Sequence, residues 1–157
     1  MHMDEVSQSG LAIRPYQPVD LSDVVEMWHT SKRGAFPYVQ VQQSYTIHDD
    51  TLHFQEVISK ECRVWLAEGD HQILGLMALN DDLIDQLFVK VGGQRRGIGS
   101  LLVRKAMELS PNGLRAFTFQ KNSAARSFFE KHGFEVVRSG VSPAPENEPD
   151  LEYAWKP

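Results

Sequence analysis

One stretch constrains this chain more than any other: Leu87 to Leu102, LFVKVGGQRRGIGSLL. The apolar run from Leu83 to Val89 reads as a buried strand, a glycine-rich turn follows, and Ile98, Leu101 and Leu102 begin an apolar stripe at helical spacing. Strand, basic loop and helix start aim several backbone N–H groups, with the positive end of a helix dipole, at one point. That is a seat for phosphate. Lys90, Arg95, Arg96, Arg104 and Lys105 are basic, and no acidic residue interrupts them, in a chain whose net charge is −5. The loop lacks the lysine and spacing of a P-loop, and Leu102 stands where a dinucleotide fingerprint needs its third small residue. What remains is QRRGIG. Gly97 removes a Cβ where a ligand approaches the backbone, and Gly99 lets the helix start close to the strand. The same six residues also fit a plain glycine-rich turn with a solvated basic face.

The rest of the chain supplies the frame. Leu11–Arg14 reads as a short strand, and Leu21, Val24, Val25 and Trp28 as the apolar stripe of a helix ending near Ser31. Residues 33–47 lack a clear period and read as a loop or partly helical lid. A second helix, capped by Asp49 or Asp50, runs to about Lys60. Three strands joined by tight turns follow, Cys62–Glu68, Ile73–Leu79 and Leu83–Val89, as an antiparallel meander. After the helix carrying Ile98 to Leu109 come a strand at Leu114–Phe119 and a helix capped by Asn122 or Ser123 and closed by Gly133. Strands at Phe134–Arg138 and Leu151–Trp155 flank an acidic loop at 139–149. The order βααβββαβαββ indicates an α/β (α+β) layer fold with a mixed sheet.

At 157 residues, with 41% hydrophobic and 24% charged residues, the chain fits one domain over 11–157 behind a disordered 1–10. Its apolar runs are too short to span a bilayer. One cysteine, Cys62, excludes an internal disulfide, and a reducing, cytoplasmic setting is the default. The acidic balance weighs against nucleic acid as a partner, and the six histidines show no metal-ligand spacing.

Residues 122–134 read NSAARSFFEKHGF. Together with LFVKVGGQRRGIGSLL, this resembles the GNAT acyltransferase superfamily. The glycine-rich stretch is similar to its Q/R-x-x-G-x-G/A motif after the fourth strand. Residues 122–134 are similar to its N-x-x-A-x-x-F-Y-x-x-x-G-F helix after the fifth, matched at Asn122, Ala125, Phe128, Gly133 and Phe134. The resemblance implies a mixed, mostly antiparallel sheet of about seven strands with about four helices. It also implies N-acetyl transfer from acetyl-CoA to a small-molecule or protein amine by direct attack. Leu87, Phe88 and Val89 would track the pantetheine arm, and Gln94, Arg95, Arg96, Gly97, Ile98, Gly99 and Ser100 would seat the pyrophosphate, with Asn122 and Phe129 also at the cofactor. The N–H of Val89 would face the developing oxyanion. Trp28, Tyr38 and Tyr153 would lie on the acceptor side, and no metal is implied.

Three positions depart from the family pattern. Val91 stands where a proline is usual. Phe129 replaces the tyrosine proposed in relatives to protonate the departing thiolate, which leaves a non-catalytic coenzyme A sensor as the alternative. The family's frequent glutamate base falls at Leu83, so Asp85, on the same face of the strand, is the candidate base. Glu146, Glu148, Asp150 and Glu152, with Asp81, Asp82 and Asp85, suit a cationic amine but also read as solvated loops. An exposed last strand would allow a homodimer.

Overall fold

The computed structural model describes residues 5–6, 10–93 and 96–157. The strands are β1 (Glu5–Val6), β2 (Ala12–Pro15), β3 (Arg63–Gly69), β4 (Gln72–Asn80), β5 (Leu83–Val89), β6 (Leu114–Phe119), β7 (Glu135–Val141) and β8 (Pro149–Trp155). They form one sheet in the order β1-β2-β3-β4-β5-β6-β8-β7. Every neighbouring pair is antiparallel except β5 and β6. Apart from the two-residue β1, which pairs with β2 inside the stretch expected to be disordered, these are the seven strands the sequence implies.

The helices are α1 (Leu21–Ala35), α2 (Gln40–Ser44), α3 (Ile47–His53), α4 (Ser59–Glu61), α5 (Ile98–Leu109) and α6 (Ser123–Lys131). Two apolar layers hold them to the sheet. Val24, Val25, Trp28, Phe54 and Ile58 pack on Leu66, Leu76 and Ala78 from one face. Ile98, Leu102, Val103, Ala106, Phe129 and Phe134 pack on Met77, Leu79, Ala116 and Tyr153 from the other. Gly75 of β4 makes the second contact close, since a Cβ there would stand 2.8 Å from the Ile98 side chain.

Several boundaries differ from the sequence reading, each for a non-local reason. α1 continues past Ser31 to Ala35 because Lys32, in its last turn, is buried and ion-paired to Asp50 at 2.7 Å. The second helical segment is capped by Thr46, in a reciprocal capping box with Asp49, and runs through a π-type turn at Phe54–Ile58 that buries both end residues. The loop expected at 139–149 shortens to 142–148, because β7 and β8 stay paired out to Val141 and Pro149. The last strand is not an exposed edge: β8 lies between β6 and β7, and β7, exposed along its whole length, is the edge.

Candidate functional site

The site begins where the sheet comes apart. β5 and β6 run parallel and pair only at Leu83–Arg115 and Ile84–Ala116. Beyond those positions the strands separate, leaving the β5 edge from Asp85 to Val89 without a strand neighbour. A β-bulge accompanies the parting: β5 matches Ala78 with Gln86 and Leu79 with Ile84, so Asp85 is the extra residue. Asp85 and Gln86 both line the resulting cleft. The Lys90 N–H donates to the Leu74 carbonyl of β4 at 2.8 Å. Strand alternation therefore turns the Val89 N–H and C=O the other way, onto the open edge, where the carbonyl accepts from the Ser31 hydroxyl at 3.3 Å.

The cleft has a volume of about 910 Å³ and passes between the two halves of the sheet. One end meets the open β5 edge. Leu87, Phe88, Asn122 and Phe129 line it there, with Thr118, whose buried hydroxyl has no hydrogen-bond partner among the described residues. Buried polar atoms are normally partnered, so the Thr118 hydroxyl, on a residue that lines the cleft, is left with capacity for a further hydrogen bond. Asn122 caps α6 by accepting from the Ala125 N–H at 3.2 Å, which leaves its amide nitrogen as the free end.

The glycine loop follows β5 and opens α5; none of its described residues lines this cleft. Gly97, at φ +79°, is the N-cap of α5, a left-handed position that suits glycine, and a Cβ there would meet nothing within 4 Å. The first N–H groups of α5 have no partner within the helix. Gly99 does not face the strand as expected: a Cβ there would stand 2.9 Å from the Phe128 ring, so it lets α6 approach α5. Ile98 points into the core at 1% exposure, so only its backbone is available. Ser100 lies 2.9 Å from His132 Nε2, and His132 Nδ1 lies 2.8 Å from the Phe128 carbonyl. A carbonyl only accepts, so Nδ1 carries a hydrogen, and in the neutral ring Ser100 then donates to Nε2. Gln94 and Arg95 lie outside the described residues. Arg96 is exposed and within 3.8 Å of Asp70. Lys105, counted with the basic cluster, is buried instead, its ammonium 4.4 Å from the centre of the Trp65 ring.

The other end of the cleft is built from side chains. Trp28 lines it and donates from Nε1 to Gln86 Oε1 at 3.0 Å, and Gln86 donates to Asp85 at 3.2 Å. Lys32 lies 3.6 Å from the centre of the Trp28 ring and 2.7 Å from Asp50, which also holds His29 at 2.6 Å. Burial lowers the Lys32 pKa, and the Asp50 hydrogen bond opposes that shift. Facing these from β7 and β8 are Arg138, Asp150 and Glu152, with Glu146 from the loop between them. Asp49, Asp50, Asp85, Glu146, Asp150 and Glu152 outnumber the two lining cations, Lys32 and Arg138.

Two expected acceptor residues lie elsewhere. Tyr38 packs edge-on against Phe36 and Phe119 and does not line the cleft. Tyr153 is fully buried behind Phe129, its hydroxyl donating to Glu130 at 2.6 Å, and does not line it either. The sequence reading missed Thr118 and Lys32. It noted Asp150 and Glu152 only as part of an acidic run, although Asp150-Leu151-Glu152-Tyr153 alternates acid and apolar with the period of a two-faced strand. Among the described residues, no group of three or more His, Cys, Asp or Glu side chains is placed to hold a metal ion. No described helix is long and apolar enough to cross a membrane.

Comparison with known proteins points the same way. A family model for the acetyltransferase (GNAT) domain matches residues 60–136. A probable N-acetyltransferase of Mycobacterium tuberculosis is 28% identical over 150 residues, covering 82% of each chain. The peptidyl-lysine N-acetyltransferase YiaC of Escherichia coli is 25% identical over 126 residues, covering 80% of this chain and 84% of its own. Among solved structures, the PaiA N-acetyltransferase of Thermoplasma acidophilum, in complex with coenzyme A, superimposes with a TM-score of 0.73 at 18% identity. It covers 94% of this chain and 99% of its own.

Proposed function

The chain belongs to the GNAT superfamily of acetyltransferases, and from that premise we propose that it transfers acetyl from acetyl-CoA to a lysine-like primary amine by direct attack in a ternary complex. The observation that carries the proposal is the parting of β5 from β6: it places an open strand edge beside the start of α5 and a carboxylate-lined compartment at the far end of one cleft.

The residues present fit acetyl-CoA. The β5 edge from Leu87 to Val89 offers main-chain partners to an extended, amide-bearing arm, much as an added strand would. Thr118 supplies a buried hydroxyl awaiting a partner, and Asn122 an amide. The loop from Arg96 to Ser100, with the N–H groups that open α5, suits the pyrophosphate, and the Ser100–His132 contact fixes one hydroxyl there. Bound acetyl-CoA supplies an activated thioester carbonyl. The Val89 N–H lies on the edge beside which that carbonyl would rest, and catalysis is chiefly positioning plus hydrogen-bond donation.

The acceptor end selects for positive charge. The relative from E. coli is named for peptidyl-lysine, and six carboxylates against two cations favour a lysine ammonium over an anionic acceptor. An alkyl ammonium has a pKa near ~10.4, so presenting it deprotonated near neutral pH costs about 4 kcal/mol. Phe129 offers no proton to the leaving thiolate, and Tyr153, held by Glu130, does not reach the cleft. A thiol pKa near ~8.5 makes the thiolate a tolerable leaving group without them.

Thiol release from acetyl-CoA across an amine panel tests the proposal. Blocked lysyl peptides are expected to support release, and dicarboxylic amino acids are not. The rival reading, a coenzyme A sensor, rests on Phe129 and predicts binding with no release for any amine.

A further inference from the structure

Two carboxylates of the cleft invite comparison as proton acceptors. Asp85 is exposed, at the bulge, and hydrogen-bonded by Gln86. Asp150 is different. Its residue is only 9% exposed, its side chain lines the cleft, and among the described residues no hydrogen bond or ion pair reaches its carboxylate. Its neighbour two residues on, Glu152, faces the same cleft at 8% exposure but is approached by Arg138 at 3.4 Å. A carboxylate so little exposed and without a donor is less well stabilised than one in open water.

Its level in the sheet is informative. β5 and β6 last pair at Ile84 and Ala116. With Asp85 set aside as the extra residue, Phe88 lies three regular steps beyond Ile84, as Phe119 lies three beyond Ala116, and Asp150 is the β8 partner of Phe119. Asp150 therefore stands across the cleft at the level of the open β5 edge, beside the stretch proposed to carry the thioester. Asp85 lies nearer the junction. The charged groups around Asp150 are Glu152 on its own strand, Arg138 on β7 and Glu146 from the loop between. Asp85 lies on β5, and Lys32, Asp49, Asp50 and His53 stand across the cleft. Glu148 is held by Lys121 at 3.6 Å.

We infer that Asp150 is the general base of this enzyme, receiving the proton of the acceptor ammonium before attack. The inference rests on the amine-acetylating function proposed above. The ammonium gives one proton to the Asp150 carboxylate. The freed lone pair forms the N–C bond to the thioester carbon, the C–S bond breaks, and its electron pair leaves with sulfur. The second proton lost from nitrogen balances protonation of the thiolate, and the proton on Asp150 returns to solvent. Burial and, after it, the nearby Glu152 charge raise the Asp150 pKa, in the direction a base needs.

The test compares wild type, Asp150→Asn, Asp85→Asn and Glu152→Gln on a blocked lysyl peptide, with acetyl-CoA binding by calorimetry as the check on folding. Asp150→Asn is expected to keep acetyl-CoA affinity and lose about 10²-fold or more in kcat near neutral pH. The loss should shrink as the pH rises toward that of the free amine. Asp85→Asn, which removes a cleft carboxylate outside proton transfer, should raise the KM for the peptide and show no kcat loss that shrinks with rising pH. Glu152→Gln should move the acidic limb of the kcat profile to lower pH. Equal loss at every pH, or a dominant loss in Asp85→Asn, overturns the inference. A ¹³C titration of the Asp150 carboxyl in the coenzyme A complex is read independently of turnover, and an ordinary carboxylate midpoint also overturns it. Absence of transfer by wild type to any amine would instead defeat the parent proposal.

Discussion

The two ends of the cleft are made of different material. At the end proposed for the cofactor the distinctive features are main chain: an unpaired strand edge and, beyond the cleft lining itself, a left-handed glycine and the start of a helix. Toward the end proposed for the acceptor the wall is side chain: Trp28, Lys32, Asp50, Asp150, Glu152 and Arg138, drawn from elements far apart in sequence. A main-chain wall recognises what all its ligands share, whereas a side-chain wall is where acceptors can be told apart.

That contrast can be broken by experiment. The largest expected effect is at Val89, whose N–H faces the open edge and is not used by the sheet. Val89→Pro should lower kcat by about 10²-fold, the scale of a lost oxyanion donor. Val89→Leu, which keeps the N–H, should stay within about 3-fold by the same reasoning. If both are equally slow, the wall works through side chains after all. On the other side, Asp50→Ala strands the Lys32 ammonium and should destabilise by about 3 to 5 kcal/mol in denaturant unfolding. The paired change Lys32→Met with Asp50→Leu should recover much of that loss.

Two aspartates should then answer pH with opposite signs. Asp20, gripped by Arg14 through two contacts of 2.9 Å, has its pKa lowered chiefly by that hydrogen bonding. Its charged form stabilises the fold above the unfolded carboxylate pKa, and that support is lost as pH falls through the lowered native value. Asp20→Asn should therefore lower the melting temperature at pH 7 and converge on wild type in acid. Asp150, with its pKa raised, favours the protonated native state. Its stabilising contribution is present below the unfolded pKa and lost as pH rises through the native one. Asp150→Asn should raise the melting temperature at pH 7 and match wild type near pH 3, a site residue held at the expense of stability. The smallest effect is expected at Phe129→Tyr. A rate gain under about 10-fold would show that a dedicated acid matters little when the thiolate leaves readily. A larger gain would show that the wild type lacks one.

The two walls also differed in how far they could be read from sequence. QRRGIG and the Asn122 helix are local patterns, because a glycine turn and a helix cap are settled by neighbours in the chain. Strand β5 and strand β6 were placed residue for residue, since their apolar runs are continuous and sharply bounded. Lys32 was invisible: a lysine after an apolar stripe reads as solvent-facing until Asp50 is brought to it. Thr118 was invisible for the same kind of reason, because its missing partner is a property of three dimensions. Gly99 was correctly singled out but given the wrong neighbour, since nothing local says that Phe128 will lie against it. Tyr153 was drawn into the site by its chemistry, whereas strand alternation sends it to the opposite face from Asp150 and Glu152.

The bulge at Asp85 has one more consequence. Ile84 and Leu87 both belong to the α5 side of the sheet although their positions differ by an odd number, which the extra residue makes possible. Without Asp85 the strand would alternate regularly, with every core side chain on its present face and no bend where β6 peels away. Such a strand is free to go on zipping along its neighbour. Deleting Asp85 is thus expected to give a chain that folds, keeps its core and cannot admit acetyl-CoA. The cleft opens beside the point where β5 carries one residue more than β4 can match, a spacer set where the sheet stops finishing itself.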